Sequence, residues 1–379
     1  MKKNMYLTGF IILLLVVGGI YYLCTDKSGV PAVFHRSETA DNNGYSQEVT
    51  NEGETKEAST ENQKSGINQI EQENLKSLAV ETAGHNDEGR MIGNMLVWEN
   101  RAMEVHIYNP DACVAYADTI NEFTSEVSED VKVYSLFAPT QIEFLPNDIV
   151  KKYSASQKNS IDLVNENFND EVITVDAYTE LNKHADEYLY FRTDHHWTAL
   201  GAYYAYSAFM QEMGEKAVPI DQYSTVQVDD FLGSTYTATS SEALVNHPDT
   251  MYLYPPFIDH EYYAYYEGPI RMPLLDMSQA ESEKKYGVFL SGDRPWGKII
   301  TSIKNGKKIA VIKDSYGNAF VPFLLPHYEE IYIIDPRQFK LNVFDFVREN
   351  GIQDVLFLNY ALVTRYTGWS DLLNQIMMN

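Results

Sequence analysis

The stretch KIAVIKDSYGN, residues 308–318, decides the fold. Its apolar run Ile309, Ala310, Val311, Ile312 is what a strand covered on both faces requires. Asp314, Ser315, Gly317 and Asn318 behind it are turn-forming residues. A strand that stops at a serine sets a hydroxyl at a carboxyl end, where open parallel sheets bind ligands. An ordinary strand–turn–helix junction uses the same residues, so this stretch alone leaves both readings open.

The same pattern recurs on either side. Short Val/Ile-rich runs followed by turn formers predict strands at 131–137, 172–175, 308–312, 330–334 and 354–358. Helical periodicity falls between them at 111–127, 154–167, 198–214 and 342–350. That alternation predicts an α/β fold with a mostly parallel sheet. Residues 215–290 interrupt it; they are tyrosine-rich, with HEYYAYYEG at 260–268, and read as an insertion of loops and edge strands. The residues just after the strands are Pro139, Thr140, Ser315, Asp335, Arg337, Asn359 and Tyr360. A second serine after an apolar run, in LSGD at 290–293, reads as a loop because Arg294 and Pro295 continue it as turn.

A serine nucleophile needs a base. The segment RTDHHWT, 192–198, offers a carboxylate and two imidazoles at the start of a predicted helix. In extended chain, residues two apart point the same way, so Asp194 and His196 can meet while His195 faces away. A carboxylate on one ring nitrogen fixes the tautomer and leaves the other nitrogen to accept a proton. Helix capping by Asp194 or Thr198 is the competing reading. Taking Asp194, His195 and His196 as metal ligands of a phosphoesterase is a third, but it needs further Asp/His clusters with suitable spacing, and none stands out.

Charge and composition narrow the partners. With 29 basic against 54 acidic residues, the net charge of −25 repels phosphate backbones, which excludes nucleic acid. The chain has 2 cysteines, Cys24 and Cys113, and no CxxC, so neither a disulfide framework nor a cysteine zinc site is expected.

Before the predicted domain lie two other segments. Residues 6–24 form a nearly unbroken apolar run behind Lys2 and Lys3. At about 1.5 Å per residue such a helix crosses most of a core about 30 Å thick. The lysines orient it with a cytoplasmic N-terminus and an extracytoplasmic remainder, and Tyr21, Tyr22 and Leu23 offer no cleavage site. The expectation is an uncleaved membrane anchor over 1–24. Residues 25–89 are polar and acidic with few large apolar side chains, the composition of a disordered tether. The folded domain is expected over 90–379.

Three quoted stretches carry a resemblance: TDHHWTALGAYYAY at 193–206, IAVIKDSYGNAFVPFLLPHYEEIYIIDPRQF at 309–339 and DVLFLNY at 354–360, supported by VYSLFAPTQIEFLP at 133–146. They resemble the DHHW protein family, relatives of the alginate O-acetyltransferase group with an SGNH-hydrolase-like fold. The resemblance implies a three-layer sandwich and a triad of Asp194, His196 and Ser315, with Trp197 packed beneath the histidine and His195 in support. SGNH enzymes usually carry the serine first and the Asp-His pair last, so the triad order here is permuted. Gly317, Asn318, Arg337 and Asn359 are candidates for oxyanion or substrate contacts, with an ion pair to Asp335 as the alternative for Arg337. The implied activity is O-acetyl transfer to a cell-envelope or secreted polysaccharide, without a cofactor or metal. An acetyl-ester hydrolase with the same triad, or a non-catalytic glycan-binding or scaffold protein, are the alternatives. Outside the cytoplasm, the acetyl donor implied is a partner membrane-bound O-acyltransferase.

Overall fold

The computed structural model describes residues 89–379, apart from 146, 147, 149 and 283. The apolar run at 6–24 and the acidic segment at 25–88 lie outside the described residues. Among the described residues no helix is long and apolar enough to cross a membrane.

Among the described residues thirteen strands follow in chain order: β1 (Arg90–Ile92), β2 (Met95–Trp98), β3 (Arg101–Glu104), β4 (Lys132–Ala138), β5 (Val172–Val175), β6 (Val226–Phe231), β7 (Asp249–Leu253), β8 (His260–Tyr265), β9 (Pro269–Met272), β10 (Trp296–Thr301), β11 (Lys308–Lys313), β12 (Glu330–Ile334) and β13 (Asp354–Tyr360). Eight of them form one sheet in the order β5-β4-β13-β11-β12-β10-β8-β9. The first five in that order are mutually parallel; β10, β8 and β9 extend the sheet antiparallel. All five strands expected from the sequence are the parallel ones. β8 and β9 arise within the interrupting segment and form one edge, while β10 was not expected.

Six longer helices are α1 (Pro110–Glu126), α2 (Gln157–Glu166), α3 (Ala177–Lys183), α4 (Ala199–Glu212), α5 (Val343–Asn350) and α6 (Gly368–Met378). Their boundaries follow local chemistry. The Asn109 side chain accepts from Ala112 N–H at 3.3 Å ahead of α1, and α5 ends at Gly351, whose left-handed φ of 61° suits glycine.

Alternation along the central strands sorts side chains into two cores. Ile309 and Val311 of β11, with Leu356 and Leu358 of β13, join the core under α3 and α4. Ala310 and Ile312, with Val355 and Phe357, join the core under α1, α2, α5 and α6. Helices therefore cover both faces of a mostly parallel sheet, and α3 and α4 share a layer with the turn that follows β11. That turn is shorter than a full helix: Gly317–Phe320 makes one helical turn and Val321–Leu324 continues as 3-10.

Candidate active site

Ser315 stands two residues beyond β11, at the carboxyl end of a central strand. Asp314 shapes its turn. One carboxylate oxygen accepts from Tyr316 N–H at 2.9 Å and the other from Tyr360 N–H at 2.8 Å, tying the ends of β11 and β13 together. Burial pushes the Asp314 carboxyl up to about 6 against the pull of these two amides.

The partner segment is a loop closed on itself ahead of α4. Thr198 N–H donates to Leu189 C=O at 2.8 Å, and the Thr198 hydroxyl accepts from Gly201 N–H at 3.2 Å as the helix cap. A buried carboxylate pins it from outside. Asp249 accepts from the amides of Arg192 and Thr193, the Thr193 hydroxyl, the Arg192 guanidinium and the Tyr188 hydroxyl. With its geometry set, the loop presents Asp194 Oδ1 to His196 Nδ1 at 2.5 Å, and His196 Nε2 lies 2.7 Å from Ser315 Oγ across 119 residues of sequence. The Trp197 indole N–H donates to Tyr316 C=O at 2.9 Å, a second tie between the two segments.

The electrostatics suit a base at rest. Burial opposes the charge on Asp194, yet His196, His195 and the Ser234 amide hold its carboxyl well below the usual range. Burial first, then the charge of His195, pulls His196 down to about 4, against the opposing carboxylate of Asp194. The pair thus rests as carboxylate and neutral imidazole at neutral pH, with one ring nitrogen facing the serine. Asp194, His195 and His196 also form a group whose ligand atoms lie within 4.8 Å of one another. Their donors are already engaged: His196 Nδ1 with Asp194, Asp194 Oδ2 with Ser234 N–H at 2.7 Å, and His195 Nδ1 with Ser234 Oγ at 2.5 Å. That hydrogen bonding fits proton relay better than metal ligation.

The remaining candidates fall elsewhere. Gly317 N–H is spent on Asp314 C=O at 3.1 Å, so it is not a free oxyanion donor; no hydrogen bond from the Ser315 amide is present among the described residues. Asn318 Nδ2 donates to Asp293 at 2.9 Å. Arg337 grips Asp335 and reaches Asp293 at 2.8 Å, the ion pair rather than a substrate contact. Asn359 does not join the site. It shares its face of β13 with Val355 and Phe357, is wholly buried, and accepts from the Tyr116 hydroxyl of α1 at 2.8 Å.

Several groups around the site were not singled out from sequence. Ser234 and Gly233 belong to the interrupting segment, and Gly233 touches Asp194 so closely that no side chain fits between them. Tyr286, from the same segment, lies flat on His196. Asp293 holds the buried Lys313 at 2.8 Å and arrives on a loop whose Leu290, Ser291 and Gly292 are all left-handed. Non-glycine residues rarely take that conformation in succession, and such strain concentrates at functional sites; that pattern is not visible in LSGD as text. A small pocket of about 10 Å³ lies beside the pair, lined by Glu104, Thr140, Gln141, Asp194, His195 and Tyr360 among others.

Known structures share this architecture. A DHHW family protein from Eubacterium siraeum matches with 32% identity and a TM-score of 0.67, over 76% of this chain and 97% of that one. Bacillus cereus PatB1 matches with 18% identity and a TM-score of 0.61, over 74% of this chain and 98% of that one. PatB1 carrying a sulfonyl adduct matches equally, covering 99% of that chain. At that identity the PatB1 likeness speaks for the fold. No curated protein matches in sequence. The sequence model of the DHHW protein family spans residues 46–334, which takes in both the DHHW segment at 194–197 and the serine turn that its histidine meets, and the chain belongs to that family.

Proposed function

We propose that this protein transfers an acyl group, acetyl by family resemblance, onto a polysaccharide hydroxyl through an acyl-enzyme on Ser315. One observation carries the reading: the unbroken hydrogen-bond line Asp194–His196–Ser315, at 2.5 and 2.7 Å. Those are the contacts a general base and its orienting acid must make with a nucleophile.

His196 Nε2 takes the hydroxyl proton as Ser315 Oγ bonds to the acyl carbon of a donor ester. Negative charge moves to the carbonyl oxygen, and the Ser315 amide, from which no hydrogen bond is present among the described residues, is the donor proposed to receive it. The donor's C–O bond breaks and its leaving oxygen takes the proton from His196. An acceptor hydroxyl then gives its proton to His196 and attacks the ester carbon, and the Ser315 oxygen leaves and is reprotonated. Asp194 stays ionised throughout and stabilises the imidazolium. Water in place of the sugar gives an esterase by the same steps. Anchoring outside the cytoplasm and supply of the acetyl group by a membrane-bound O-acyltransferase complete the proposal.

The test combines reactivity and turnover of the full chain. A sulfonyl fluoride should modify Ser315, seen as one mass increment on the peptide containing it, and Ser315→Ala should lose both the label and acetyl transfer to a glycan. Equal turnover by Ser315→Ala would remove the nucleophile from the proposal. Acetate release without sugar acetylation would make the protein an esterase. Glycan binding with neither would leave a binding module.

A further inference from the structure

We infer that Tyr286 is the positioning residue of this site: its ring and that of His195 clamp the two faces of the His196 imidazole and hold it in line with Ser315. The inference rests on the reading of His196 and Ser315 as base and nucleophile, and deepens it.

Three geometrical facts support the clamp. The Tyr286 ring lies 3.7 Å from the His196 ring, centroid to centroid, at an interplanar angle of 5°, a face-to-face stack. The His195 ring lies 3.8 Å from the same imidazole at 35°. Two rings that close to one centroid cannot share a side, so one covers each face. The Tyr286 hydroxyl donates to the Ser315 backbone C=O at 3.4 Å, so one side chain touches both reacting segments.

Tyr286 is itself held in place. It sits in the 3-10 turn Lys285–Val288, and the Lys285 ammonium donates to Asp229 and Asp230 C=O at 2.9 Å each. Its ring meets Phe289 at 5.2 Å and Phe191, from the base loop, at 6.4 Å. Tyr286 is 8% exposed and His196 5%.

The clamp answers a need of the chemistry. In one cycle His196 must take a proton from Ser315 and give it to a leaving oxygen, and both transfers require the same ring plane. Asp194 fixes Nδ1, but one hydrogen bond still allows the ring to rock about it. Covering both faces removes that freedom and keeps water off the imidazole. The charged and titratable groups facing this ring are Asp194 and His195 from its own loop, Asp293 from the loop before β10, Tyr286, and Tyr316 beside Ser315. Tyr286 adds a surface and no charge.

The experiment compares wild type, Tyr286→Phe and Tyr286→Leu in the full chain, with Tyr286→Met made alongside so that a folding failure of Leu leaves a folded ring-less protein. Turnover is measured with p-nitrophenyl acetate from pH 4 to 9, and the His196 imidazole is titrated by NMR. The expected result is a kcat lower by roughly 10²-fold in the ring-less variants with KM little changed, as for a misplacement of about 1 Å. Phe should recover most of that loss. The imidazole pKa should rise in the ring-less variants, because burial is what holds it low. Wild-type kcat and an unmoved titration in a folded ring-less variant would overturn the clamp, as would Phe failing as badly as Leu. An inert wild type whose imidazole pKa still rises on ring removal would sustain the clamp and sink the functional reading instead.

Discussion

Gly233 is pressed against Asp194: a Cβ built on that glycine would lie 2.3 Å from the Asp194 Cβ and 2.4 Å from its Oδ2. The contact explains why the segment that follows β6 must carry glycine there, since the next residue, Ser234, has to bring its amide to the same carboxylate at 2.7 Å. Gly233→Ala forces the acid aside, and with it the imidazole. The expected outcome is a loss of kcat/KM of about 10²-fold, measured by ester turnover, with a smaller effect on the melting temperature.

His195 supplies the charge that, after burial, does most to keep the His196 imidazole low. A lowered base is unprotonated over a wider range, so the acid limb of kcat/KM should fall below the ordinary histidine value of about 6.5. Replacing His195 with glutamine removes that charge. The limb should move to higher pH, and a pH profile of His195→Gln against wild type reads the shift directly. A limb that stays in place would show that the neighbouring imidazole has no electrostatic part.

Asp249 is the buried centre of the loop that carries His196, with its side chain wholly shielded from water. Asp249→Ala would leave the Arg192 guanidinium, 5% exposed, without its counter-charge. Breaking a buried pair in this way costs about 3–5 kcal/mol. Urea titration followed by tryptophan fluorescence should show the midpoint falling accordingly.

Asp293 anchors Lys313, which is 1% exposed on its side chain. Burial works against the Asp293 charge, but Lys313 and Arg337 hold its carboxyl well below its unfolded value. A depressed carboxyl contributes stability that is fully present above the unfolded value of about 3.9 and is lost as pH falls from there through the lower folded value. The melting-temperature gap between wild type and Asp293→Asn should therefore be widest near neutrality and close in acid. A gap independent of pH would mean that packing, not charge, is what the aspartate supplies.

Some of this was legible in the chain and some was not, for physical reasons. The five parallel strands announce themselves because strands covered on both faces are nearly all apolar, as in Ile309 to Ile312. β10 hides because Trp296, Lys298 and Ile300 alternate with buried neighbours and imitate an exposed segment. Asp194 and His196 are readable as a pair because residues two apart in extended chain share a side. The same rule, applied along β13, assigns Asn359 to the face of Val355 and Phe357 and so away from the serine. Ser234, Tyr286 and Asp293 carry no local signature, since each acts through contacts that only the folded sheet creates.

The stretch between α4 and β10, which interrupts the repeating strand–helix order, is no ornament on the fold. It delivers the carboxylate beneath the base loop, the amide behind the acid and the ring over the imidazole. A shortened relative that trimmed this excursion would keep the five parallel strands and the serine yet lose β8, β9 and the groups that hold His196 in one deletion.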